Sequence, residues 1–291
     1  MKFLVTGSSG LVGSQVVKDL VQQNHTVYSC YHDEKPLDGI PISLDLTDEN
    51  KIIQTLEEIK PDRIIHLAAM TSVDLCETEQ KLATQINTKA TEILANQAAK
   101  QNAFFLYVST DYVFDGKNNP YDELDQTNPL NYYGQTKLES EKLILSINEY
   151  LIIRTAWVND VEKNSSSFIM QVINSLKNNE VFSVPFDQYG SPTITSNLSE
   201  IIFELIQKNQ KGIFHVTGLT YIDRYNFAIK IAEVFLLNRK LIKKISTAEL
   251  NQKIKRPLEV NLDLKKLKSI ITTKIFSLDV QLDLMKKTSK F

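Results

Sequence analysis

Short apolar runs alternate with longer stretches of helical periodicity through the first half of this 291-residue chain. Phe3-Leu-Val5 is wholly apolar, as expected of a strand buried on both faces of a parallel sheet. A glycine-rich turn follows, Thr6-Gly7-Ser-Ser-Gly10-Leu-Val-Gly13. Val16, Val17, Leu20 and Val21 then recur at helical spacing, and Thr26-Val-Tyr-Ser-Cys-Tyr31 predicts the second strand. Strand, glycine turn, helix and strand make a βαβ unit. Further strands are expected at 40–44, 64–67, 104–108 and 150–154. Helices are expected at 48–59, at 79–100 and through the segment holding Tyr133, Glu141 and Leu145. The alternation predicts an α/β fold, a doubly wound parallel sheet of Rossmann type with right-handed crossovers.

Beyond Thr155 the pattern loosens. Helices are expected at 166–177, 196–207, 224–237, 247–253 and 263–268, with a strand at 212–216. The expected division is a dinucleotide-binding domain at 1–155, rejoined by segments from about 194–216. A smaller C-terminal substrate-binding lobe takes most of 156–291.

Composition narrows the function. With 42% hydrophobic residues the chain can bury a sizeable core. The net charge of −2 is scattered, which argues against a nucleic-acid footprint or a basic membrane-binding face. No apolar run has the length of a membrane span. The opening apolar run stops at Gly7, too short for a signal peptide. A cytoplasmic location is expected. Lys286, Lys287 and Lys290 read as a solvated tail. Cys30 and Cys76 suggest neither a disulfide framework nor a metal pair. His25, His32, His66 and His215 lack ligand spacing, so no metal site is expected.

Two local motifs carry chemistry. Gly7, Gly10 and Gly13 sit three apart between a strand and a helix. Such a turn lets backbone N–H groups approach a pyrophosphate, and the helix N-terminus adds partial positive charge. Tyr133 and Lys137 stand four apart, on one helical face. An ammonium beside the phenol is expected to lower the Tyr133 pKa towards neutrality and make it a usable acid or base. Thr110 leaves the fifth strand at its carboxyl end, where doubly wound sheets place ligands.

The Thr-Gly-x-x-Gly-x-x-Gly turn together with Thr110, Tyr133 and Lys137 resembles the extended short-chain dehydrogenase/reductase family. Longer segments also match: 66–77, 109–116, the Asp187-Gln-Tyr-Gly-Ser-Pro-Thr193 run, Arg154-Thr-Ala-Trp157 and Arg256-Pro257. These are similar to the dTDP-4-dehydrorhamnose reductases within that family. The resemblance fades beyond Lys268 and departs at Asn159, where those enzymes usually carry tyrosine, and in the polar loop at 160–167.

The resemblance implies reduction of the 4-keto group of a nucleotide-linked 6-deoxy sugar, dTDP-4-dehydro-L-rhamnose to dTDP-L-rhamnose. It implies that Thr110 orients the carbonyl, Tyr133 donates a proton and Lys137 holds the nicotinamide ribose. Gly7, Gly10, Leu11, Val12, Gly13, Ala68 and Ala69 would hold the cofactor, with Asp45 and Leu46 at the adenine. His32 and Lys35 at the end of the second strand favour NADPH, whereas Asp33 and Glu34 favour NADH as the alternative. Val73, Asp111, Tyr112, Trp157 and Arg256 would lie on the substrate side. For Trp157 plain packing is the alternative, and for Arg256 a structural ion pair. A homodimer is compatible with this reading. Two other functions stay open: a nucleotide-sugar epimerase, and a non-catalytic NADP-binding subunit like the beta subunit of methionine adenosyltransferase.

Overall fold

The computed structural model describes residues 1–161, 167–250 and 252–289. Its first six strands are β1 (Lys2–Thr6), β2 (Thr26–Tyr31), β3 (Ile40–Ser43), β4 (Arg63–His66), β5 (Phe104–Thr110) and β6 (Tyr150–Thr155). They are followed by β7 (Val158–Asn159), β8 (Phe182–Pro185), β9 (Tyr189–Gly190), β10 (Thr193–Ile194), β11 (Gly212–His215), β12 (Ile222–Asp223) and β13 (Ile242–Ile245). The central sheet has seven strands in the order β11-β6-β5-β4-β1-β2-β3, every neighbouring pair parallel.

Alternation along each strand feeds two helical layers. Phe3, Val5, Leu106, Leu151 and Ile153 enter one layer. It is built on α1 (Leu11–Gln22) and a later helix, Thr195–Gln207. Leu4, Phe105, Tyr107 and Ile152 enter the other, against α2 (Glu49–Ile59) and the helix Ala90–Gln101. Asp48 caps α2, its Oδ1 accepting from Lys51 N at 2.9 Å.

The single helix expected at 79–100 is broken into α3 (Val73–Thr78), α4 (Gln80–Ala83), a π-helical turn at Thr84–Lys89 and α5 (Ala90–Gln101). Buried Asn87 occupies the wide turn. Its amide exchanges bonds with Met70 N (2.7 Å) and Met70 O (3.1 Å) and donates to Thr136 Oγ1 (3.0 Å). Its carbonyl accepts from Thr91 Oγ1 and Ser140 Oγ. Ser140 and Thr136 belong to α6 (Tyr132–Ile144), so the π turn ties the flank of the sheet to that helix.

The second half adds α7 (Phe168–Lys177), α8 (Thr195–Gln207), α9 (Arg224–Val234), α10 (Lys265–Lys268) and α11 (Leu278–Thr288). α8 and β11 return to the sheet: Leu198, Ile201 and Leu205 join the α1 layer, and Ser199 Oγ donates to Asp19 Oδ2 at 2.6 Å. α7, α9 and α11 close a separate core containing Ile173, Phe227, Ile231, Leu282 and Met285.

Several sequence expectations are corrected here. α9 stops at Val234, and Leu236 just beyond it takes a left-handed φ of 55°. The segment expected as helix at 247–253 holds a 3-10 turn at Ala248–Leu250, with residue 251 outside the described residues. Residues 162–166, which take in most of the polar loop and the expected start of α7, are also outside them, as are residues 290 and 291 at the end of the tail. α11 was not anticipated, although Leu278, Leu282 and Met285 follow helical spacing. Among the described residues no helix is long and apolar enough to cross a membrane, and no cluster of His, Cys, Asp or Glu is arranged to hold a metal ion.

Candidate active site

A cleft of about 920 Å³ opens at the carboxyl edge of the sheet, where β1, β4, β5 and β6 end. One wall is the glycine turn. Gly7 has φ +68°, and a Cβ there would lie 2.7 Å from Ala68 N. A Cβ on Gly13 would lie 2.0 Å from Gly7 O, so the turn and α1 pack backbone to backbone. Gly10 precedes α1 with extended backbone, no side chain caps the helix, and its first turn carries no acid. Gly10 N is used within the turn, donating to Gly7 O at 3.0 Å, so the helix presents the free N–H groups of Leu11, Val12 and Gly13 and a positive dipole end to the cleft. That donor set fits the diphosphate of a dinucleotide.

The floor comes from β5 and α6. Asn131 caps α6, its Oδ1 accepting from Gly134 N at 3.0 Å. A Cβ on Gly134 would meet Tyr112 O at 2.3 Å, so the helix start lies tight on the 3-10 turn Asp111–Val113 that follows β5. This contact brings Tyr133 and Lys137 to the edge that carries Thr110, and all three line the cleft. Thr110 Oγ1 donates to Asp111 Oδ1 at 3.0 Å and accepts from Tyr112 N at 3.2 Å. Burial raises the Asp111 carboxyl to about 7, with the Thr110 bond pulling the other way.

The expected depression of the Tyr133 pKa is not what the structure shows. Burial pushes that phenol well above its ordinary value, opposed by the Thr110 hydroxyl and reinforced by Asp111. Lys137 Nζ instead donates to Val108 O at 2.7 Å and rests 4.0 Å over the Tyr107 ring. Burial draws the ammonium itself down to about 7. Sharing a helical face aligned the two side chains without making the amine a strong stabiliser of phenolate. In this state Tyr133 is a phenol, which is the protonation a proton donor needs.

The opposite wall belongs to the smaller lobe. Trp157 follows β6 with a left-handed φ of 43°. Its indole stacks on Phe227 at 6.3 Å between centroids and lines the cleft, so it both packs and faces the site. Gly190 runs so close beneath that a Cβ there would lie 2.4 Å from the indole. Asn159 is buried, its Nδ2 donating to Trp157 O and its Oδ1 accepting from Ile169 N at 3.4 Å, which pins the strand leaving Trp157. Arg256 lines the cleft and also bonds Asp74, Nη2 to Oδ2 at 2.9 Å.

Sequence reasoning missed Arg224. It is the first residue of α9, and its guanidinium lies 4.1 Å over the Trp157 ring. Its Nε donates to Gln188 Oε1 at 3.1 Å. One signal was present: Asp223 caps α9, and a cation in a first helical turn opposes the dipole, so such an arginine needs another reason.

Other expected residues stand off the cleft wall. His32 is exposed and lies 3.5 Å from Asp33; Glu34 reaches the cleft in its place. Asp45 Oδ1 accepts from both Thr47 N and Thr47 Oγ1 at 2.8 Å, a turn role that holds its carboxyl low. Leu46 packs under the sheet, and Val73 is buried at the start of α3. Tyr112 sits behind Tyr133, edge-on at 6.0 Å. Ala68, Ala69, Asp111 and Trp157 do line the cleft.

A glycine-turn cradle joined to a Thr–Tyr–Lys group at the carboxyl edge of a doubly wound sheet is the site of a short-chain dehydrogenase/reductase. The sequence profile of the RmlD substrate binding domain matches residues 1–289, and the chain belongs to that family. The match runs through α11, past Lys268, where the motif resemblance had faded. The dTDP-4-dehydrorhamnose reductase of Aggregatibacter actinomycetemcomitans is 33% identical over 91% of this chain and 92% of its own. The methionine adenosyltransferase 2 subunit beta of Xenopus tropicalis is also 33% identical, over 92% of this chain and 81% of its own. Among solved structures, the dTDP-4-dehydrorhamnose reductase of Bacillus anthracis in complex with NADP superposes with a TM-score of 0.89, at 29% identity and 99% coverage of both chains.

Proposed function

We propose that the chain reduces the 4-keto group of a nucleotide-linked 6-deoxy sugar, dTDP-4-dehydro-L-rhamnose to dTDP-L-rhamnose, with NADPH as donor, acting in the cytoplasm. The observation that carries this reading is a half-buried, protonated Tyr133 lining one cleft with Thr110, Lys137 and the glycine turn. The nicotinamide, when bound, supplies the hydride. The N-terminus of α1 holds the diphosphate of the cofactor, with Ala68 and Ala69 beside it. Thr110 donates a hydrogen bond to the substrate carbonyl and fixes its orientation. Tyr133 gives its proton to the same oxygen as negative charge develops there. Lys137 sits one helical turn behind and binds the ribose. In this reading residues 1–155 chiefly hold the cofactor and 156–291 chiefly the sugar nucleotide, with Trp157 and Arg256 on the sugar-nucleotide side.

The test is a panel of nucleotide 4-keto sugars assayed with NADPH and with NADH. The expected result is stoichiometric oxidation of NADPH with dTDP-4-dehydro-L-rhamnose. Product formation with no net cofactor oxidation would identify an epimerase, which returns its hydride. The relative of Xenopus tropicalis favours one second reading, a cofactor-binding subunit of a larger assembly. No turnover by the isolated chain across the panel, together with co-purification of a catalytic subunit, would decide for it.

A further inference from the structure

The Thr110 hydroxyl carries a single proton, and the structure shows that proton committed. Oγ1 donates to Asp111 Oδ1 at 3.0 Å and accepts from Tyr112 N at 3.2 Å. A hydroxyl has one donor and two acceptor positions, so with a carboxylate at Asp111 no proton is left for a substrate carbonyl. The same carboxylate would set a negative charge where a carbonyl oxygen gathers one during reduction. Protonation of Asp111 removes both conflicts. The acid then donates to Oγ1, Tyr112 N donates to the other lone pair, and the Thr110 proton is free to point into the cleft. The surroundings suit a neutral acid. Asp111 is 4% exposed, and among the described residues no cation forms an ion pair with it. The charged and titratable groups facing it are Tyr133 from α6, Tyr112 from its own turn and Arg224 from α9, with Arg256 beyond Tyr112. Burial, the largest effect, carries the carboxyl up to about 7, against the Thr110 bond and the attraction of Arg224.

We propose that Asp111 works as a neutral carboxylic acid, a positioning residue that keeps its proton, bonds Thr110 Oγ1 with it and so turns the Thr110 hydroxyl toward the substrate carbonyl. The catalytic consequence rests on the reductase reading; the protonation state is measured without turnover. Asp111 takes no part in bond making: the hydride comes from the cofactor and the proton from Tyr133. Loss of the Asp111 proton turns Thr110 back to the carboxylate and removes one of the two hydrogen bonds that receive the developing alkoxide. Activity is therefore present below the titration of Asp111 and declines as pH rises through it.

The first readout is infrared difference spectroscopy of the chain saturated with NADPH, titrated from about pH 5.5 to about pH 9. The wild type should show the carbonyl stretch of a protonated carboxylic acid that disappears as pH rises, and Asp111→Asn should lack it. Thr110→Val keeps Asp111 but removes the bond that favours its ionised form, and should move the transition to higher pH. The second readout is kcat/KM for dTDP-4-dehydro-L-rhamnose over the same range at saturating NADPH. The amide of Asp111→Asn keeps the shape and the donor of the neutral acid, so kcat/KM at acid pH should fall only by roughly 3- to 10-fold. Its decline with rising pH should be one proton shallower than that of the wild type, since Lys137 contributes equally to both. An Asp111 that only supports the fold would change the level of activity and leave that slope alone. A wild type without the acid band, a Thr110→Val transition at the wild-type pH, or an equally steep decline in Asp111→Asn each overturns the proposal. A chain that reduces no keto sugar while the band titrates as described leaves the neutral acid standing and removes only the reductase reading.

Discussion

The two walls of the cleft are made of different materials. The cofactor wall is backbone: three glycines, a helix start and no side-chain cap. The substrate wall is side chains, Trp157, Asn159, Gln188, Arg224 and Arg256, drawn from segments up to 99 positions apart. In the proposed function the first wall meets the cofactor through backbone N–H groups, and an added Cβ at Gly7 or Gly13 would run into neighbouring backbone. In that reading the second meets the substrate with side chains, some of which also pack the lobe: Trp157 on Phe227, and Asn159 between Trp157 O and Ile169 N. The floor between them is held together by the tight Gly134–Tyr112 contact and tied to the π turn through Asn87 and Thr136.

The largest expected effect is on the floor. Tyr133→Phe keeps the ring and its edge contact with Tyr112, so NADPH affinity should stay within about twofold while kcat falls on the order of 10²–10⁴-fold. Stopped-flow turnover beside a cofactor titration measures both, and unchanged turnover refutes Tyr133 as the donor. Next comes the backbone wall. Gly13→Ala forces a methyl to within 2.0 Å of Gly7 O, and only backbone movement relieves it. NADPH affinity should drop by roughly 10- to 100-fold, as for a strained site of 1–3 kcal/mol. Leu11→Met on the same turn should change it by less than about twofold, because that residue contributes chiefly its N–H. Equal losses in the two variants would break the contrast between the walls.

How much of this was legible follows from the same contrast. The strands, the glycine turn and the Asp48 cap were readable because their signals lie within a few residues. The i, i+4 spacing of Tyr133 and Lys137 was equally local and placed both at the cleft. Their protonation was not readable, since burial dominates both pKa values and burial is settled by β5 and α3 packing around α6. The π turn escaped notice because the bonds made there, from Asn87 to Met70 and Thr136, span three segments. Arg224 escaped for the same reason: Trp157 and Gln188 are 67 and 36 positions away in the chain. α11 was missed despite a local signal, its Leu278, Leu282 and Met285 stripe.

The last expected effect is on stability and concerns the floor without its ligands. Lys137 is held at about 7 by burial against an ordinary lysine value of 10.5. Between those values the unfolded chain keeps a proton that the folded chain has shed. The unfolded state therefore binds more protons, and this group makes the unfolding free energy rise with pH across the window, by up to about 1.4 kcal/mol per pH unit. Below pH 7 both states hold the proton and the contribution to the slope disappears. Lys137→Met has no proton to lose, so its denaturation midpoint should lack the rise between pH 7.5 and 9.5 that the wild type shows, by about that slope. Urea unfolding of the cofactor-free wild type and variant at those two pH values measures it. Identical pH dependence in the two would mean that the ammonium is already compensated in the folded chain. Val108 O and the Tyr107 face would then be enough to keep it charged, and the cofactor ribose would not be needed to do so.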